Sequence, residues 1–132
     1  MSWLGLTNLN TANSFNWFDQ AGNFFGGGYL LIPQNLQNAN YTLALSDMGK
    51  SVDVTSGTWT HTIPANASVP FPIGTVLGGD NTSTGNLTIA ITSDTLVTTG
   101  GATGTRTVLP NGIWQARKVS ATKWKITGPG VT

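Results

Sequence analysis

The chain has 132 residues, enough for one domain and short for two. Charged residues make up 8% of it, about a third of the usual share, and the net charge is +1. With no cysteine, disulfides and thiolate metal sites are excluded. So few clustered cations argue against a nucleic-acid partner.

The five acidic residues are all aspartates: Asp19, Asp47, Asp53, Asp80 and Asp94. Without glutamate, and with little lysine or arginine, the polar surface is built from Thr, Ser, Asn and Gly. That palette favours strands and turns over helices. A free soluble domain keeps its surface charged, whereas a surface covered by neighbours does not need to. The chain is therefore expected to associate with copies of itself.

Residues 1–38 are rich in Asn and aromatics and carry no lysine or arginine. Their periodicity is poor, and Gly26-Gly27-Gly28 interrupts any regular element. They read as an extended arm or docking segment. Its aromatic side chains, Trp3, Phe15, Trp17, Phe18, Phe24, Phe25 and Tyr29, are the candidate contacts with another protein. The N-terminus lacks the basic and apolar regions of a signal peptide. The longest apolar stretch, Tyr29–Ile32, ends at Pro33, far short of the roughly 18 residues of a membrane span. No membrane insertion is expected, and synthesis is expected in the cytoplasm.

Residues 39–132 read as a β domain. Tyr41, Leu43 and Leu45 alternate on one face of a strand, and Ser46–Gly49 turns. Val52 and Val54 oppose Asp53 and Thr55. Thr58, Thr60 and Thr62 then alternate with Trp59, His61 and Ile63, a strong strand signal. A loop over 64–68 leads to a strand over 71–77, whose prolines at 70 and 72 confine it to an edge or an entrance. Gly78–Asn81 and Ser83–Asn86 read as turns. Leu87, Ile89 and Ile91 form the next apolar face, and 95–98 a short strand. The final pair, 113–119 and 123–127, closes as a hairpin through 120–122. Its basic residues, Arg117, Lys118, Lys123 and Lys125, read as an outer face. Many short strands with frequent turns point to an all-β, antiparallel sandwich or jelly-roll-like domain carrying the N-terminal arm.

The blocks Tyr41–Lys50 and Thr62–Thr75, together with Lys118-Val119, Trp124 and Gly128, resemble a domain of tail fibres and other small virion proteins of tailed bacteriophages. The resemblance covers residues 41–128, and the run Ile63-Pro64-Ala65-Asn66 followed by Phe71-Pro72-Ile73-Gly74-Thr75 is its most specific part. His61 departs from it, standing where an aliphatic residue is usual. The resemblance implies a sandwich-like module that commonly trimerises and serves attachment or virion architecture.

Chemistry is sparsely supplied. One histidine, His61, would have to serve any Ser-His-Asp arrangement, and no Gly-x-Ser-x-Gly elbow surrounds a serine. Asp47, Asp80 and Asp94 sit in turn-like contexts, where aspartates bond the local backbone. No enzyme activity, cofactor or metal is expected. Trp59, His61, Trp114 and Trp124 lie on strand faces and read as core or subunit interface.

The expected function is thus a bacteriophage virion structural protein, a capsid decoration or cementing protein or a small head or tail appendage. It is expected to act as a homotrimer that docks on a capsid or tail protein and to reside in the virion after synthesis in the host bacterium. The alternative is a carbohydrate-binding, receptor-recognition module facing a host surface glycan.

Overall fold

The computed structural model describes residues 31–132, and Ile32–Thr132 form one compact unit. Among the described residues ten strands appear in chain order: β1 (Gln34–Leu36), β2 (Tyr41–Thr42), β3 (Ser51–Asp53), β4 (Trp59–Ile63), β5 (Val76–Asn81), β6 (Leu87–Ile91), β7 (Thr95–Val97), β8 (Arg106–Val108), β9 (Gly112–Ser120) and β10 (Lys123–Thr127). Helical structure among the described residues amounts to one 3₁₀ turn, Leu45–Asp47. No helix there is long and apolar enough to cross a membrane. The all-β expectation holds.

The strands form a six-stranded sheet in the order β1-β3-β5-β9-β10-β7 and a four-stranded sheet in the order β2-β4-β6-β8. Both are mixed. Five strand pairs are parallel and three antiparallel, which corrects the antiparallel expectation. The first six strands alternate between the sheets, so the chain winds as a coil: β1, β3 and β5 run parallel in one sheet, β2, β4 and β6 in the other. Parallel neighbours need a long crossover, and here each crossover is a strand of the opposite sheet. The chain then reverses. β8 lies antiparallel on β6 and β9 antiparallel on β5, and β10 folds back on β9. Period-two alternation identifies a strand but carries no record of its partner's direction.

Both sheets contribute to one hydrophobic cluster. Val52, Leu77, Leu96, Trp114, Ala116, Trp124 and Ile126 come from the large sheet, and Ile63, Leu87, Ile89 and Val108 from the small one. Leu43, Val54 and Phe71 join from the connections. Full burial of such side chains contributes about 1.5–3 kcal/mol each. Phe71 meets Trp124 edge to face, with ring centroids 5.6 Å apart.

Several elements differ from the sequence expectation. Gly78–Asn81 is strand, not turn. A Cβ on Gly79 would lie 1.8 Å from the Val52 carbonyl oxygen, so glycine here permits β3 and β5 to approach, a known use of glycine within strands. The stretch 71–75 lies outside any strand, because its side chains and backbone close over β9 instead of joining a ladder. Only Tyr41–Thr42 of the first predicted strand pairs, since Asp47 pulls the following residues into the 3₁₀ turn. β1 falls within the stretch 1–38 and pairs with β3, and β8 carried no clear sequence signal.

Candidate functional site

β9 and β10 alternate strictly. Trp114, Ala116 and Lys118 point inward with Trp124 and Ile126, while Ile113, Gln115, Arg117, Lys123 and Lys125 stay on the outer face. Two grooves mark that outer face. One, about 350 Å³, includes Ile32, Val76 and Ile113 with Gly78 and Gly79 at its floor. These three apolar side chains are 64%, 40% and 51% exposed. Gly78, on the same side of β5 as Val76, leaves no side chain above the sheet there. The second groove, about 670 Å³, lies over β9, β10 and the loop after β7, and includes Arg117, Lys123 and Lys125.

Lys118 is the exception to the predicted basic outer face. It is 1% exposed, because the alternation that sends Trp114 and Ala116 inward sends it inward too. Its Nζ donates to Asn66 Oδ1 at 2.5 Å and to the Phe71 carbonyl at 2.8 Å, and lies 5.7 Å from the Trp124 ring centroid. The Asn66 backbone N–H donates to Asp94 Oδ2 at 3.0 Å. The Gly74 amide donates to the Lys118 carbonyl, and the Lys118 amide to the Thr75 carbonyl. The Ile63–Thr75 block thus forms a cap over one inward lysine, with Phe71 packed on Trp124. Within it, Ser68, Val69, Phe71 and Thr75 donate backbone bonds to neighbours in the same block, which hold the cap's shape.

A second buried polar group surrounds Asp47. That side chain is 0% exposed and accepts from Asn35 Nδ2 at 2.7 Å, the Tyr41 hydroxyl at 2.9 Å and the Ala44 amide at 2.8 Å. Burial, and next the hydrogen bond to Asp47, push the Tyr41 hydroxyl above its usual range. Tyr41 meets His61 edge to face at 5.9 Å. His61 is fully buried, and its Nε2 lies 3.1 Å from the Gln37 carbonyl. A carbonyl can only accept, so Nε2 carries the proton and Nδ1 is the bare nitrogen, which has no partner among the described residues. Desolvation lowers the His61 pKa from its ordinary value, against smaller opposing contributions from the Gln37 and Ala39 backbone and from Asp47. The ring is neutral at pH 7 and is not open to a substrate.

Asp53 accepts from Gln34 Nε2, Ser51 Oγ and the Asp80 amide. Burial, followed by the nearby Asp53 charge, raises the Asp80 pKa. Asn81, expected in a turn, sits at the end of β5, and its side chain donates to the Gly85 and Val108 carbonyls. Among the described residues no three His, Cys, Asp or Glu side chains gather as a metal site.

Of the residues singled out from sequence, Trp114, Trp124 and His61 lie in the interior and Trp59 at its margin, half-buried, with Nε1 donating to the Ser56 carbonyl. Trp3, Phe15, Trp17, Phe18, Phe24, Phe25 and Tyr29 lie outside the described residues. Sequence reasoning missed the inward turn of Lys118. Counting in twos from Trp114 through Ala116 reveals it.

Taken together, the chain from Ile32 onward is an all-β domain of two mixed sheets. It matches no protein-family model, no curated protein and no solved structure.

Proposed function

We propose that the chain is a structural protein of a bacteriophage particle, a capsid decoration or cementing protein or a small head or tail appendage. In this reading its two sheets pack as a sandwich-like module. It acts by surface burial, not by chemistry: copies join as a homotrimer, and the assembly docks on a capsid or tail protein of the virion. The observation that carries the proposal is the exposed apolar groove of Ile32, Val76 and Ile113 on a chain with 8% charged residues. Three exposed apolar side chains gathered in one groove, with Lys50 and Asp80 also in its lining, support an interaction site, and scarce charge leaves little to keep copies apart. The resemblance of residues 41–128 to phage fibre and virion domains supplies the particle. The burial of His61 supports a role without catalysis.

The test is the mass of the full chain by light scattering over a range of concentrations, paired with a Val76→Lys/Ile113→Lys variant. Both positions are exposed, so the variant should keep its strand content by circular dichroism. The expected result is a trimer that the variant dissociates, and wild-type chain present in purified particles from its host. A monomer at every concentration, or particles without the chain, overturns the proposal.

A further inference from the structure

The second groove on the outer face has a different chemistry. Arg117, Lys123 and Lys125 line it, and among the described residues no aspartate does. Lys125 stands directly opposite Arg117 in the antiparallel β9–β10 ladder, on the outward side of both strands. Like charges in that position repel and weaken the hairpin. With no acid in the lining to relieve them, the pair favours an anion from outside.

The rest of the lining narrows the class of anion. Thr98, Gln115 and Thr127 supply hydroxyl and amide groups, and among the described residues no aromatic side chain lines the groove, so these residues give bases nothing to stack on. Gly100 and Gly101, both with positive φ, form one wall, and a Cβ on either would meet nothing within 4 Å. A ligand can therefore approach that backbone closely. Lys123 and Lys125 are separated by two residues on one strand face, about 7 Å, and Arg117 sits one strand away. Spread cations suit a ligand with separated negative groups better than a single compact phosphate. The groove, about 670 Å³, lies in the range of small-ligand sites.

We infer that this groove binds an acidic carbohydrate, with carboxylates of successive sugar units on Arg117, Lys123 and Lys125 and sugar hydroxyls on the threonine and glutamine side chains. Stacking on Trp114 or Trp124 plays no part, since both are buried. The site adjoins the apolar groove and shares Gln115 with it, but its three cations lie outside that groove's lining, so the site does not depend on self-association.

The experiment is calorimetric titration of the full chain with oligogalacturonate, its methyl ester, a single-stranded oligonucleotide and inorganic phosphate. The same titrations are run on Arg117→Gln/Lys125→Gln. Oligogalacturonate is expected to bind, more weakly as salt rises, and to lose about tenfold or more in affinity in the variant. The ester and phosphate are expected not to bind measurably. The variant should melt no lower than wild type, because a repulsive pair has been removed. Equal binding of the ester, unchanged binding by the variant, tighter binding of the oligonucleotide, or binding of phosphate alone overturns the inference. Masses measured on the same samples separate the two proposals. A monomer that binds oligogalacturonate retires self-association only, and a trimer that does not bind it retires the carbohydrate site only.

Discussion

Replacing Lys118 by methionine keeps most of the buried stem and removes the ammonium. Two acceptors, Asn66 Oδ1 and the Phe71 carbonyl, then lose their donor, at about 1–3 kcal/mol for each buried acceptor left unmade. Against this, an ion is no longer held out of water, which removes a penalty of several kcal/mol. The single substitution is therefore a small difference between comparable quantities. Removing the acceptor is cleaner. Asn66→Ala leaves the ammonium buried with one fewer oxygen, while the backbone bond from residue 66 to Asp94 survives. A hydrogen bond to a charged group contributes about 1.5–3 kcal/mol. Because Asn66 is half-buried, water replaces part of that, so about 1–3 kcal/mol should be lost. In the Lys118→Met background the same change should cost almost nothing. Urea unfolding of wild type, both single variants and the double variant measures the coupling directly. A coupling below about 0.5 kcal/mol, the scatter expected of independent sites, would refute the view that the 63–75 cap is held down by this lysine.

Three further outcomes are expected. His61 has a folded-state pKa below its unfolded value of about 6.5, so the unfolded chain binds the extra proton first and stability should fall as pH drops below that value. Melting temperatures from pH 8 to pH 5 should show the decline, and His61→Leu should flatten it; a wild-type profile level across that range would contradict the buried neutral ring. Gly79→Ala should cost about 3 kcal/mol or more, since its Cβ would collide with the Val52 carbonyl, whereas Gly100→Ala, strained by φ alone at 89°, should cost about 1 kcal/mol. Denaturant melts that rank the two equally would remove the close-approach explanation. A chain beginning at Ala39 lacks β1 and the side-chain bonds from Gln34 to Asp53 and from Asn35 to Asp47, at about 1 kcal/mol each; it should melt below a chain beginning at Ile32, and equal melting would show β1 to be dispensable.

Much of this architecture is local and was readable from residue order. Threonine and valine without glutamate favour a strand-rich chain, because β-branched side chains fit a pleated surface, while asparagine and glycine serve the turns between strands. Alternation alone puts Trp124 and Ile126 inside and Lys123 and Lys125 outside, since successive side chains of a strand must point to opposite faces. Tertiary structure decided what alternation leaves open. Whether β3 meets β5 in parallel, why two glycines stand mid-strand, and what receives the Lys118 ammonium all depend on residues distant in the chain. Direction of pairing leaves no mark on a single strand, and Lys118 was tolerable inside only because Asn66 and Phe71, 52 and 47 positions away, bring oxygen atoms to it. The same applies to the outer face. Arg117, Lys123 and Lys125 could be placed in water from the sequence, but only the β9–β10 register sets Lys125 opposite Arg117 and so makes a basic groove from scattered charges.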